Sequence, residues 1–109
     1  MILWNDFEKV EMRVGTIIEA TDFPNARNPS FKLTIDFGEL GIRRSSAQIT
    51  TFYTPDILTG QQVIAVINFP PKNIGGFLSE CLVLGIYDEN KDVVLIQPGL
   101  PVSNGLKIG

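Results

Sequence analysis

The side chains with binding chemistry gather in the middle third of this sequence. Arg43 and Arg44 precede a run of small polar residues, Ser45-Ser46-Ala47-Gln48. On a strand, that run beside two guanidinium groups suits contact with phosphate or ribose, with Gln48 as a further contact. It equally suits an edge strand whose polar residues block pairing with other chains. Asn68 interrupts an otherwise apolar stretch, Val63 to Phe69, and is followed by Pro70-Pro71-Lys72. Its amide reads either as a ligand contact or as a structural pin for the loop that follows. Ile74-Gly75-Gly76-Phe77 presents an aromatic ring in a glycine-flanked loop, as a stacking platform for a base or as a ring folded into the core. Ser79-Glu80 heads the next strand, where it bonds a base edge or caps the turn. Arg13 sits between Met12 and Val14, so alternation sends it to the opposite face. There it is a surface charge or a cation on a ligand-binding side.

What is missing excludes more than what is present suggests. With no histidine and one cysteine, Cys81, the chain holds no zinc cage, no disulfide framework and no Ser-His-Asp or Cys-His nucleophile. Cys81 reads as a small packed hydrophobe. No Walker-type or dinucleotide glycine motif occurs, so neither a metal nor a cofactor is expected, and an enzyme is disfavoured. Nine Lys and Arg against twelve Asp and Glu give a net charge of −3 and a pI near 4.8, unlike a generic basic nucleic-acid binder. The charge is uneven. Residues 40–79 hold Arg43, Arg44 and Lys72 against Asp56 alone, whereas both flanking thirds are acidic.

These residues must be positioned by short strands. Phe31-Lys32-Leu33-Thr34-Ile35-Asp36-Phe37 alternates without a miss and predicts a half-buried strand. Val14 to Ile18 is rich in β-branched residues, and Arg43 through Thr50 is polar but strand-like. In that last segment Arg43, Ser45, Ala47 and Ile49 share one face; Arg44, Ser46, Gln48 and Thr50 share the other. Val63 to Phe69, Leu82 to Ile86 and Val93 to Ile96 complete the set, with a turn at Asp88-Glu89-Asn90. Two short helices are expected. One starts at Asn5 as cap with Glu8 three residues on; the other has Thr54 as cap, Pro55 first and Gly60 beyond its end. The tail from Pro98 to Gly109 is expected to run over the surface. The chain, 109 residues with 44% hydrophobic side chains, fits one domain over 1–109. The start lacks a basic and an apolar segment and no run is long enough for a membrane span, so a soluble, cytoplasmic protein without membrane insertion is expected. Five or more short strands with one small helix between the third and fourth predict an all-β, five-stranded Greek-key barrel of the OB type with terminal extensions.

Several motifs, in order, carry a resemblance. Glu11-Met12-Arg13-Val14-Gly15 resembles the Asp-x-Arg-Val-Gly opening of the tRNA-binding domain found on some methionyl- and phenylalanyl-tRNA synthetases. Val63 to Asn68, then Pro71-Lys72, Ile74, Gly76 and Ser79-Glu80, resemble that family's second signature. Phe23-Pro24, Ala26-Arg27, Pro29, Lys32-Leu33, Ile35 to Gly38, Ser45 to Thr50, Asn68 to Pro71 and the Pro101 to Gly109 ending are similar to its stand-alone CsaA-type members, which are secretion-related chaperones. Lys72-Asn73 stands where related chains often carry a basic pair, and Gly75 and Leu78 occupy positions that are sometimes basic.

The resemblance implies an OB-fold homodimer without catalysis. It implies affinity for unfolded preproteins and the SecA motor, with tRNA binding as the alternative. Arg13, Arg43, Gln48, Asn68, Lys72, Phe77, Ser79 and Glu80 are the candidate contacts with RNA or another ligand. Ile2, Leu3, Trp4 and Phe7, apolar residues that otherwise lack an explanation, are the candidate dimer contacts.

Overall fold

β1 (Met12–Asp22) is long enough to pair with two neighbouring strands, and the fold is built on it. Its first half pairs antiparallel with β4 (Gln62–Val66), from Met12 opposite Val66 to Thr16 opposite Gln62. Its second half pairs with β2 (Phe31–Asp36), with a register shift between Ile17 and Glu19. A bulge of this kind bends a strand and increases its twist, which turns the sheet towards closure. All 109 residues, Met1–Gly109, are described by this computed structural model.

β2 continues into β3 (Ile42–Ala47) through a short 3-10 turn at Gly38–Leu40. α2 (Pro55–Leu58) follows, with the Thr54 hydroxyl accepting from the Ile57 amide as an N-cap and Pro55 in the first turn. β7 (Leu82–Val83) then adds to β4, giving a five-stranded sheet in the order β3-β2-β1-β4-β7. The ends of that sheet meet where Glu80 N–H donates to Arg44 C=O at 2.8 Å and the Ser45 hydroxyl donates to Cys81 C=O at 2.9 Å. The result is an OB-type barrel that is nearly closed. Its core holds Ile17, Leu33, Ile35, Phe37, Leu58 and Val63, all fully buried. The strict alternation of β2 is seen directly: Phe31, Leu33 and Ile35 point in, while Lys32, Thr34 and Asp36 point out.

The structure departs from the sequence expectations in five places. α1 (Trp4–Glu8) is capped two residues earlier than Asn5 implies, at Leu3, whose amide donates to the Asp6 carboxylate at 2.8 Å. The strand within the Val63 to Phe69 run ends at Val66, and one further bond, Ile67 N–H to Glu11 C=O, continues its register just ahead of β1. The Ile74 to Phe77 loop is the tip of a hairpin, β5 (Lys72–Ile74) with β6 (Phe77–Ser79). Gly75 and Gly76, at φ 56° and 83°, supply the two left-handed residues a tight hairpin turn requires. The 82–86 strand breaks at Leu84, and β8 (Gly85–Tyr87) pairs with β9 (Val93–Leu95). The tail is tied down as well as exposed. Gly105 N–H donates to Val14 C=O, Val14 N–H to Leu106 C=O, and Ile108 N–H to Met12 C=O, covering the edge of β1 that β2 leaves free.

Candidate functional site

The β5–β6 hairpin folds back beside β3 and carries much of the predicted site with it. Ser46 N–H donates to Ser79 Oγ at 3.2 Å, and Arg44 N–H donates to Glu80 Oε1 at 3.1 Å. Those bonds, with Glu80 N–H on Arg44 C=O, fix the hairpin at the β3 edge. Lys72 lies opposite Ser79 in the hairpin, and the register puts both on the same side as Phe77. Gln48 follows β3 on the outward-facing side and is exposed. Ser79, Glu80, Lys72 and Gln48 thus belong to one region of the surface, with Phe77 buried beneath the hairpin.

Phe77 does not fill the role of a base platform. It is 5% exposed and meets the Phe23 ring edge-on, with centroids 5.4 Å apart. The Arg44 guanidinium lies 4.3 Å from the Phe77 centroid, and Lys32 Nζ lies 4.8 Å from Phe23 and 5.4 Å from Phe77. Cations over aromatic faces are attracted by the ring quadrupole. The pair therefore ties the β1–β2 loop to the hairpin and holds two cations at fixed positions on the β2–β3 face. Gly75 allows the approach, since a Cβ there would meet Asn25 O at 3.2 Å.

Three expected contacts lie elsewhere and are engaged within the fold. Asn68 accepts from Glu11 N–H at 3.0 Å and donates to Lys9 C=O at 2.7 Å, pinning the junction of α1 and β1. Arg43 donates to Ile67 C=O at 2.9 Å. Arg13 bonds Glu11 Oε1 at 2.8 Å and Gly105 C=O at 3.1 Å, while Lys107 reaches the other Glu11 oxygen at 3.3 Å. Hydrogen bonding from Arg13 and then Lys107 holds the Glu11 carboxyl below its usual range. Ser45, in the polar run, is 1% exposed and serves the barrel seam.

Lys32 is a cation outside the candidate contacts, and Arg44, which the sequence sets with Arg43 beside the polar run, takes the position on this face that Arg43 does not. The signal was present in the alternation, which put Arg44 with Ser46 and Gln48 on the outer face and Arg43 with the inward Ser45, Ala47 and Ile49. Lys32 is likewise outward in the β2 pattern.

Apolar surface lies open in three places, one of them at the chain ends. Ile2, Leu3 and Trp4 are 73%, 69% and 79% exposed, and with Phe7 and Gly109 they border a hollow of about 460 Å3. A groove of about 510 Å3 runs between the tail and β1 and β4, lined by Met12, Val14, Ile64, Ile96 and Leu106. A third, of about 400 Å3, lies between the end of β3 and the β7–β8 segment. Cys81 sits beneath the seam, and burial raises its thiol pKa from 9.0 to about 11.

Comparison with known proteins agrees with this geometry. Residues 12–107 match the family model described as "Putative tRNA binding domain". The methionine–tRNA ligase of Nanoarchaeum equitans is 34% identical over 110 residues, covering 99% of this chain and 14% of the ligase. The chain thus spans about one-seventh of the length of such curated relatives. Among solved structures, the chaperone CsaA of Bacillus anthracis is 52% identical with a TM-score of 0.95, covering 100% of this chain and 99% of that one. The CsaA chaperone protein of Picrophilus torridus is 47% identical with a TM-score of 0.94, and each chain covers 100% of the other. On the barrel, the motifs and these matches together, the chain belongs to the tRNA-binding domain family and is similar over its whole length to the CsaA-type members.

Proposed function

We propose that this protein is a non-catalytic chaperone that holds unfolded or export-bound polypeptides as a homodimer. The observation that carries the reading is the amount of apolar surface without a partner: two grooves, and the hollow bordered by the exposed Ile2-Leu3-Trp4 segment, on one small barrel. Contiguous patches of that kind mark interaction sites. Two solved proteins similar to it over their full length bear the name chaperone, which supports the same reading. The dimer would form through Ile2, Leu3, Trp4 and Phe7, leaving the other grooves for clients. Preproteins in the cytoplasm are the fitting clients, with the SecA motor as a further partner. The test is aggregation of a chemically unfolded protein diluted into buffer without nucleotide. Suppression at near-stoichiometric protein is the expected outcome; an unchanged aggregation rate contradicts the chaperone reading.

A second reading, tRNA binding, is favoured by one specific observation. Lys32, Arg44 and Lys72 lie on or beside the β2–β3 face, flanked by the β1–β2 loop and the 72–79 hairpin, which is where OB-folds take oligonucleotides. The family model points the same way. Three cations beside Glu80 on a chain of net charge −3 make a modest phosphate site, so this reading stands second.

A further inference from the structure

We propose that an extended polypeptide segment inserts as an added strand between β3 and β8, completing the seam that the barrel leaves open. This specifies how a client is held and rests on the polypeptide-binding reading above. The seam is fastened at one end, where Arg44 meets Glu80 and Ser45 meets Cys81. Beyond those residues it parts. β3 bonds β2 with one edge, and Arg44 shows which residues face the other, since both its backbone groups bond Glu80. Ser46 and Gln48, two and four residues on, face the same way. The Ser46 amide takes Ser79 Oγ, whereas the Ser46 carbonyl and both backbone groups of Gln48 have no partner within the protein.

The opposite bank has the same character. Leu84 N–H donates to Ile64 C=O, so Val83 turns its backbone groups away from β4 and towards the gap. Leu84 C=O accepts from Ile96 N–H, and Asp88 N–H donates to Asp92 C=O. That phase directs Ile86 to β9 and leaves Gly85 and Tyr87 facing outward. Val83, Gly85 and Tyr87 therefore form a row of free donors and acceptors at strand spacing. Between the banks lies the groove of about 400 Å3, floored by Ala47, Ile49, Leu82, Val83 and Val93.

The chemistry of the banks selects the occupant. Alternating N–H and C=O groups on both sides are satisfied by another peptide backbone, which carries both and can pair on both edges. A phosphodiester chain brings acceptors without matching donors, and brings charge. The groove is lined by no Lys or Arg to receive that charge; the cations sit over Phe23 and Phe77 instead. Apolar flooring under an open strand edge suits an unfolded segment with alternating apolar residues.

Amide hydrogen exchange of the full chain, followed residue by residue with and without a synthetic peptide of alternating valine and serine, tests this. The amides of Gln48, Val83, Gly85 and Tyr87 should exchange freely alone and become protected with peptide. A peptide N-methylated at every second residue should bind about tenfold or more weakly, because one edge loses its donors. If both peptides bind equally and those amides stay unprotected, insertion is overturned while polypeptide binding stands. If neither peptide nor a longer unfolded preprotein segment binds, the chaperone reading itself fails. Protection of the same amides by tRNA, or by raising the protein concentration alone, would give the gap to RNA or to a second copy and also overturn the proposal.

Discussion

Asn68 shows how a polar residue in an apolar run acquires its role from what lies opposite. Its amide satisfies one donor and one acceptor from the α1–β1 junction, fifty-seven and fifty-nine residues away in sequence. Asn68→Ala should lower stability by about 1–2 kcal/mol in urea denaturation, from two lost hydrogen bonds with solvent access; unchanged stability would remove the pinning role. Cys81 gives a second test. With its pKa near 11 against 9.0 in an ordinary thiol, its thiolate is roughly a hundredfold scarcer at pH 8. Iodoacetamide should label it slowly in the native protein and rapidly in denaturant. The sign for stability follows, because the raised value favours the protonated native thiol. That contribution is intact below pH 9.0 and is lost as the pH rises towards about 11. Lys72, exposed and without an ion-pair partner, is the cleanest probe of the second reading. Lys72→Glu should reduce the salt slope of tRNA binding by about 0.7 per lost phosphate contact. An identical slope would place RNA elsewhere.

Among the elements, β2 was legible because its environment is local and regular: one face meets the core along its whole length, so the sequence alternates. The 72–79 hairpin was partly legible, since Gly75-Gly76 between Ile74 and Phe77 suits a hairpin turn as well as a loop, and the short flanking strands carry too little alternation to decide between them. The tail was not, because its bonds run to the backbone of β1 and leave no side-chain pattern. The site shares this division. Outward Lys32 and Arg44 follow from alternation, but their meeting over Phe23 and Phe77 depends on a loop and a hairpin that are distant in sequence. Gly15 illustrates an element that depends on close approach. A Cβ there would lie 2.6 Å from Ile35 Cγ2 and 2.7 Å from Phe37 Cε1, inside the core. Gly15→Ala should cost about 1–3 kcal/mol by overpacking. A thermal midpoint within error of the parent would show that β1 can shift to make room.

At the scale of the whole molecule, open apolar surface stands beside a weak and uneven charge. The N-terminal segment offers Trp4 and its neighbours to a second copy, and a twofold contact would cover them while doubling the client sites. Trp4→Asp should move sedimentation towards monomer without loss of fold, because the side chain is 79% exposed. A dimer that persists would take Trp4 out of the interface. No helix is long and apolar enough to cross a membrane, and the net charge of −3 on each chain weakens long-range attraction of RNA. The most direct measurement is a fluorescence-anisotropy titration with an unfolded preprotein segment and with labelled tRNA, each at low and moderate salt. Polypeptide binding that persists as salt rises, beside weak tRNA binding that collapses, is the result the account predicts. Tight, salt-sensitive tRNA binding with no affinity for the unfolded segment would contradict it and give the Lys32–Arg44–Lys72 face the leading role.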